Sequence, residues 1–93
     1  PDSYSLNDAY PNPFNPETTI EFSVPTDGFV KVDVYNAAGQ LVSSLVDKDL
    51  SAGAYKTTWD AKTTDGQNVS SGVYFYRMEA GDFTDTRSMT LLK

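Results

Sequence analysis

The stretch TTIEFSVPTDGFVKVDVYN, residues 18–36, alternates apolar and polar side chains twice over. Ile20, Phe22 and Val24 fall on one face of an extended chain, and Thr19, Glu21 and Ser23 on the other. Only a strand puts every second side chain on one face. This is therefore a half-buried strand, ended by Pro25 and the Thr26-Asp27-Gly28 turn. The second half repeats the pattern, with Val30, Val32 and Val34 inward and Lys31 and Asp33 outward. Asn36 to Gln40 reads as a short hairpin loop with Gly39 placed for positive φ.

The same alternation continues toward the C-terminus. QLVSSLV, residues 40–46, is less regular and suggests a bend or a bulge. DKDLSAG, residues 47–53, reads as a polar connection. GAYKTTWD, residues 53–60, sets Tyr55, Thr57 and Trp59 against Lys56, Thr58 and Asp60, and a long turn with Gly66 and Gly72 follows. GVYFYRMEAGD, residues 72–82, carries large side chains on both faces, which marks a central strand with Tyr74, Tyr76 and Met78 toward the core. Gly81-Asp82 turns the chain into a last strand, in which Met89 and Leu91 face inward. No segment has helical periodicity. About seven short strands in a chain of this size predict an all-β, antiparallel β-sandwich with Greek-key connections.

Toward the N-terminus the pattern breaks at YPNPFNPE, residues 10–17. Its prolines hold the preceding residues extended and delay sheet pairing until Thr18. Phe14 is expected to fold down as a plug over one end of the sandwich. Residues 1–9 read as a linker from an upstream domain, and residues 10–93 as the folded module. The N-terminus has neither the basic start nor the apolar run of a signal peptide.

Composition narrows the function. Thirteen acidic against seven basic residues give a net charge of −6. That balance argues against nucleic acid and against an anionic membrane surface, both of which demand clustered Lys and Arg. No apolar run is long enough for a membrane span, so no membrane insertion is expected. The chain has no cysteine and no histidine. It therefore has no disulfide framework, and it lacks the commonest general base and transition-metal ligand. A catalytic role is not expected.

Few residues remain as carriers of chemistry. Asp60, Asp65 and Asn68 form the densest set of oxygen ligands, a weak calcium candidate whose spacing lacks the alternation of an EF-hand. An Asx-type turn at Asp60 and a tight Asp65-Gly66 turn account for them better. The loop carboxylates Asp47, Asp49, Asp60, Asp65, Asp82 and Asp85 have no deep cleft to raise a carboxyl pKa for glycoside hydrolysis. Ser70 and Ser71 have no base to activate them. Phe29, Tyr35, Phe75, Phe83 and Trp59 could stack on sugar rings if exposed, whereas a sandwich core would claim Trp59 and Tyr55 first.

Four pieces together resemble a known family: AYPNPFNPETTIEFSVP, VKVDVYNAAGQLV, GAYKTTWDAKTTDGQNVSSGVYFYRM and the ending SMTLLK. The chain is similar to the type A C-terminal sorting domain of the type IX secretion system, related to the Ig-like domain of the flagellar hook-capping protein. The resemblance implies a seven-stranded Ig-like sandwich and a non-catalytic tag. Such a tag directs an attached exported protein through the periplasm to the cell surface. The implied partners are the outer-membrane secretion machinery, a processing peptidase and a covalently attached upstream cargo domain, with the tag itself monomeric. It assigns Pro11, Asn12, Pro13 and Phe14, with Tyr55, Trp59, Gly72 and Tyr74, to the structural motif. Arg77, Arg87, Met89, Leu91 and Lys93 would serve export recognition. Two departures stand out. Ala61 replaces a glycine that often follows Trp-Asp, and Arg87-Ser88 replaces a frequent basic pair. The other reading is an Ig-like accessory module of an extracellular hydrolase that binds polysaccharide, or spaces and stabilises the enzyme.

Overall fold

A computed structural model describes residues 1–93. Seven antiparallel strands form two sheets: β1 (Ser5–Leu6), β2 (Thr18–Val24), β3 (Gly28–Asn36), β4 (Leu41–Leu50), β5 (Gly53–Trp59), β6 (Gly72–Ala80) and β7 (Phe83–Leu91). One sheet has the order β1-β2-β5 and the other β4-β3-β6-β7. The chain crosses between sheets after β2, β4 and β5, which gives the Greek-key arrangement of an Ig-like sandwich.

The alternation in the sequence is what builds the core. Ile20, Phe22 and Val24 from β2 meet Val30, Val32 and Val34 from β3 and Tyr74, Tyr76 and Met78 from β6. Met89 and Leu91 close the layer from β7. Eighteen apolar residues make one continuous cluster, so a single hydrophobic interior holds both sheets. Gly39 has φ of 82° in the β3–β4 hairpin, a left-handed conformation that glycine adopts without steric cost.

The expected irregularity in QLVSSLV is a pair of bulges. On β3, Val32 and Asp33 face Val46 and Ser44, while Val34 and Tyr35 face Ser43 and Leu41. Leu45 and Val42 are left as extra residues, and the Val42 carbonyl instead accepts the Thr64 amide at 3.2 Å. The bulge thus anchors the long loop after β5.

Three expectations are corrected. Residues 4–9 are not linker: Ser5 and Leu6 pair with Ser23 and Phe22, Leu6 and Ala9 are buried, and Tyr4 stacks on Phe83 at 5.3 Å. Pairing also begins before Thr18, because Tyr10 and Thr19 exchange backbone hydrogen bonds of 3.0 and 2.8 Å. Residues 47–50, read as polar connection, extend β4, since an edge strand accepts charged side chains along its length. Asp33 keeps its outward parity but is buried. Ser44 Oγ donates to its carboxylate at 2.6 Å, and Lys31 Nζ lies 3.6 Å away.

Tyr76 shows how the N-terminal segment is tied to the core. Its ring is fully buried, and its hydroxyl donates to the Asn7 carbonyl at 2.7 Å. Burial pushes the phenol above its ordinary pKa, against a smaller opposite pull from a backbone hydrogen bond at Ala9. The folded state therefore favours the neutral ring. Its contribution is complete below the unfolded tyrosine pKa, about 10, and is lost as pH rises through the higher folded value. Tyr76→Phe should cost about 0.5–1.5 kcal/mol at neutral pH and flatten the loss of stability at alkaline pH. Urea denaturation at a series of pH values checks this. An unchanged alkaline decline in the variant would remove Tyr76 as its cause.

Candidate functional site

The proline motif and the last strand, distant in sequence, meet at one end of the sandwich. The Phe14 amide donates to the Thr90 carbonyl at 2.9 Å, and the Leu92 amide donates to the Phe14 carbonyl at 3.0 Å. The Asn12 side chain extends this ladder, its Oδ1 accepting from the Thr90 amide at 2.9 Å and its Nδ2 donating to the Ser88 carbonyl at 3.5 Å. Proline suits this segment because an edge that pairs on one side leaves spare N–H positions. The bonds of Tyr10, Asn12 and Asn15 to the prolines that follow them are cis. Thr18 Oγ1 donates to the Pro11 carbonyl at 2.9 Å and fixes the far side of the loop.

Phe14 is the expected plug, 2% exposed. Its ring lies 5.8 Å from Trp59, whose indole meets Tyr74 edge-on at 5.1 Å. The Trp59 indole N–H donates to the Lys62 carbonyl at 2.9 Å, and Tyr74 donates to the Ser70 carbonyl at 2.6 Å. Tyr55 stacks on Phe22 and donates to Ser51 O. Trp59 therefore pins the turn that follows β5, while Tyr55 and Tyr74 pin the turns that lead into β5 and β6. Gly72 starts β6, with its backbone opposite Leu91. Ala61 adopts φ of 61° with its side chain buried, so the place where glycine is frequent does demand the left-handed region.

The five residues linked to export recognition divide into two groups. Met89 and Leu91 are core residues, 1% and 0% exposed. Arg77, Arg87 and Lys93 reach the surface. Arg77 has one long ion pair, with Glu79 at 3.8 Å. Arg87 is held more tightly, with Asp8 at 2.8 Å and Asp85 at 3.4 Å, and the Asp8 hydrogen bond raises its pKa. Leu92 is 53% exposed beside Lys93, whose amide donates to Ser71 Oγ. No periodicity or motif position marks Leu92 in advance.

The remaining candidates separate in space. Asp60, Asp65 and Asn68 are exposed, and no group of three acidic side chains gathers there. Backbone bonds shape that loop, with Lys62 bridging to Asn68 and the Thr63 amide donating to Gln67 O. Trp59 lies in the core, and Phe83 is stacked against Tyr4. Tyr35 and Phe75 are cross-strand neighbours on the outer face of the four-stranded sheet.

The sequence profile of the FlgD Ig-like domain matches residues 14–82. The chain belongs to the FlgD Ig-like domain family. The matched span starts at Phe14 and stops before β7, so the last strand of this FlgD Ig-like domain lies outside it. No curated protein matches in sequence. Among solved structures, dimeric latent PorU from Porphyromonas gingivalis matches 96% of the chain with a TM-score of 0.75 at 20% identity. PorZ, described as an essential bacterial surface component of the type-IX secretion system of that organism, matches 99% with a TM-score of 0.63 at 19% identity. FlgD from P. aeruginosa matches 80% with a TM-score of 0.61 at 21% identity. At these identities the likeness is one of fold. The domain spans 9% of the PorU chain, 12% of the PorZ chain and 58% of the FlgD chain.

Proposed function

We propose that this domain is a non-catalytic sorting and interaction module, which directs an attached exported protein through type IX secretion to the cell surface. The observation that carries the reading is the likeness of nearly the whole chain to parts of PorU and PorZ, the latter a named component of that system. The resemblance of the proline motif and of the terminal residues to sorting domains supports it. In this reading Met89 and Leu91 hold β7 in the sandwich, while Leu92, Lys93 and Arg77 are the side chains a partner touches. The partner is the outer-membrane secretion machinery, met after the periplasm, and a peptidase processes the cargo. The domain acts as a monomer.

Truncation before Arg87 is a poor test, because it deletes two core side chains along with the tail. A reporter fused to the domain should instead carry Leu92→Asp and Lys93→Glu. Surface delivery is expected to fall at least roughly tenfold, as for loss of a charged and apolar contact pair of a few kcal/mol. Thermal stability should not change. Delivery at the wild-type level by a folded double variant would overturn this use of the tail. The polysaccharide-binding reading has one observation in its favour, the Tyr35–Phe75 neighbours on the open sheet face, with Phe75 37% exposed. Retention on an insoluble polysaccharide that Phe75→Ala abolishes, with delivery indifferent to the tail, would select that reading instead.

A further inference from the structure

The two ends of the chain leave the sandwich at opposite poles. Tyr4 lies against Gly81 and within 3.4 Å of Thr26, beside the turns that follow β6 and β2. Lys93 is bonded to Ser71, which borders the same surface depression as Ala37 and Ala38 of the β3–β4 hairpin. Between these poles the chain is tied together by Asn12–Phe14 and Ser88–Leu92. The bridge between them, Phe14 to Leu91, is parallel.

Parallel pairing has a mechanical meaning. Tension drawing residue 12 toward the N-terminus and residue 92 toward the C-terminus slides two parallel segments past each other. Every cross-bond is then loaded at once. An antiparallel hairpin pulled at its open end surrenders its bonds one at a time.

We propose that the proline motif and β7 form a shear clamp, which makes the domain a load-bearing tether between its two ends. The clamp has the two Phe14 backbone bonds and the two Asn12 side-chain bonds. Sliding also has to draw the Phe14 ring out from beside Trp59. The Asp8–Arg87 ion pair and the Tyr76–Asn7 bond bind the segment just before it. The two-residue β1 gives way first, and the load then arrives at Asn12.

This goes beyond the sorting reading and needs no secretion partner, so the two can fail separately. Single-molecule force spectroscopy tests it, and the absence of native cysteine allows handles at engineered positions. One geometry pulls between residues 1 and 93. The other pulls between Ala38→Cys and residue 93, which share a pole, so β7 peels from its end. At equal pulling rate, end-to-end loading should need at least roughly twice the force, since forced rupture reports the barrier to unfolding. Asn12→Ala should lower the end-to-end force more than the peeling force, which breaks the same bonds one at a time. Equal forces in the two geometries would overturn the clamp. So would an Asn12→Ala variant that weakens both geometries alike or neither.

Discussion

Phe14→Ala should lower the free energy of unfolding by about 3–5 kcal/mol, the range for truncating a fully buried aromatic side chain. The ring is 2% exposed and packs on Trp59, so its removal leaves a cavity in the core. Alanine keeps the backbone bonds to Thr90 and Leu92, so the loss measures the plug and not the ladder. Urea or thermal denaturation reads the stability directly. Amide exchange in native protein adds a second readout, because protection at Thr90 and Leu92 should fall more than protection along β3. A variant within about 0.5 kcal/mol of wild type, the range of ordinary surface substitutions, would show that Phe14 is not a core residue.

Trp59→Ala is expected to cost a similar amount, about 3–5 kcal/mol, through the same cavity mechanism. Its indole touches both Phe14 and Tyr74, so the cavity would open between the proline motif and β6. The two losses should not add. A double-mutant cycle between Phe14→Ala and Trp59→Ala should show coupling of about 0.5–3 kcal/mol, as for residues in contact. Strict additivity would mean that the rings do not share a site. Trp59→Phe separates the hydrogen bond from the bulk. It keeps most of the apolar contact while removing the donor to Lys62 O. Because Lys62 is exposed, water can replace that donor, and its own loss should stay near 1 kcal/mol.

Much of the architecture was readable because burial imposes a local period. Ile20-Phe22-Val24 and Val30-Val32-Val34 show their inward faces without help from any other residue. Tyr74-Tyr76-Met78 reads as central because both faces of β6 carry large side chains. The misreadings fall where that period is weak. Asp47, Lys48 and Asp49 look like a loop, yet on an edge strand they cost little. Ser5 and Leu6 make a strand too short to show any period. Asp33 has outward parity, and nothing local tells that Ser44, across the bulged strand, will cover it.

The candidate site was less legible for the same reason. The bonds from Asn12 to Ser88 and Thr90 join residues 76 and 78 positions apart and leave no mark on either stretch alone. The terminal motif had a core pattern, Met89 and Leu91, and its exposed member Leu92 was hidden within it. Resemblance supplied the names of the motif residues. The structure shows that the two motifs, at opposite ends of the chain, form one joint.

The four-stranded sheet ends in β4 on one flank and β7 on the other. Any such margin offers unpaired N–H and C=O groups to a stray strand from another molecule, the first step of aggregation. β4 is guarded by two bulges and by Asp47, Lys48 and Asp49, which make it crooked and highly charged. β7 is capped over Ser88–Leu92 by the proline segment, a cover that cannot itself nucleate a ladder. Lifting that cover would draw Phe14 out of the core and leave an adhesive margin behind. The same prolines that tie the two ends together thus also keep one molecule from sticking to the next.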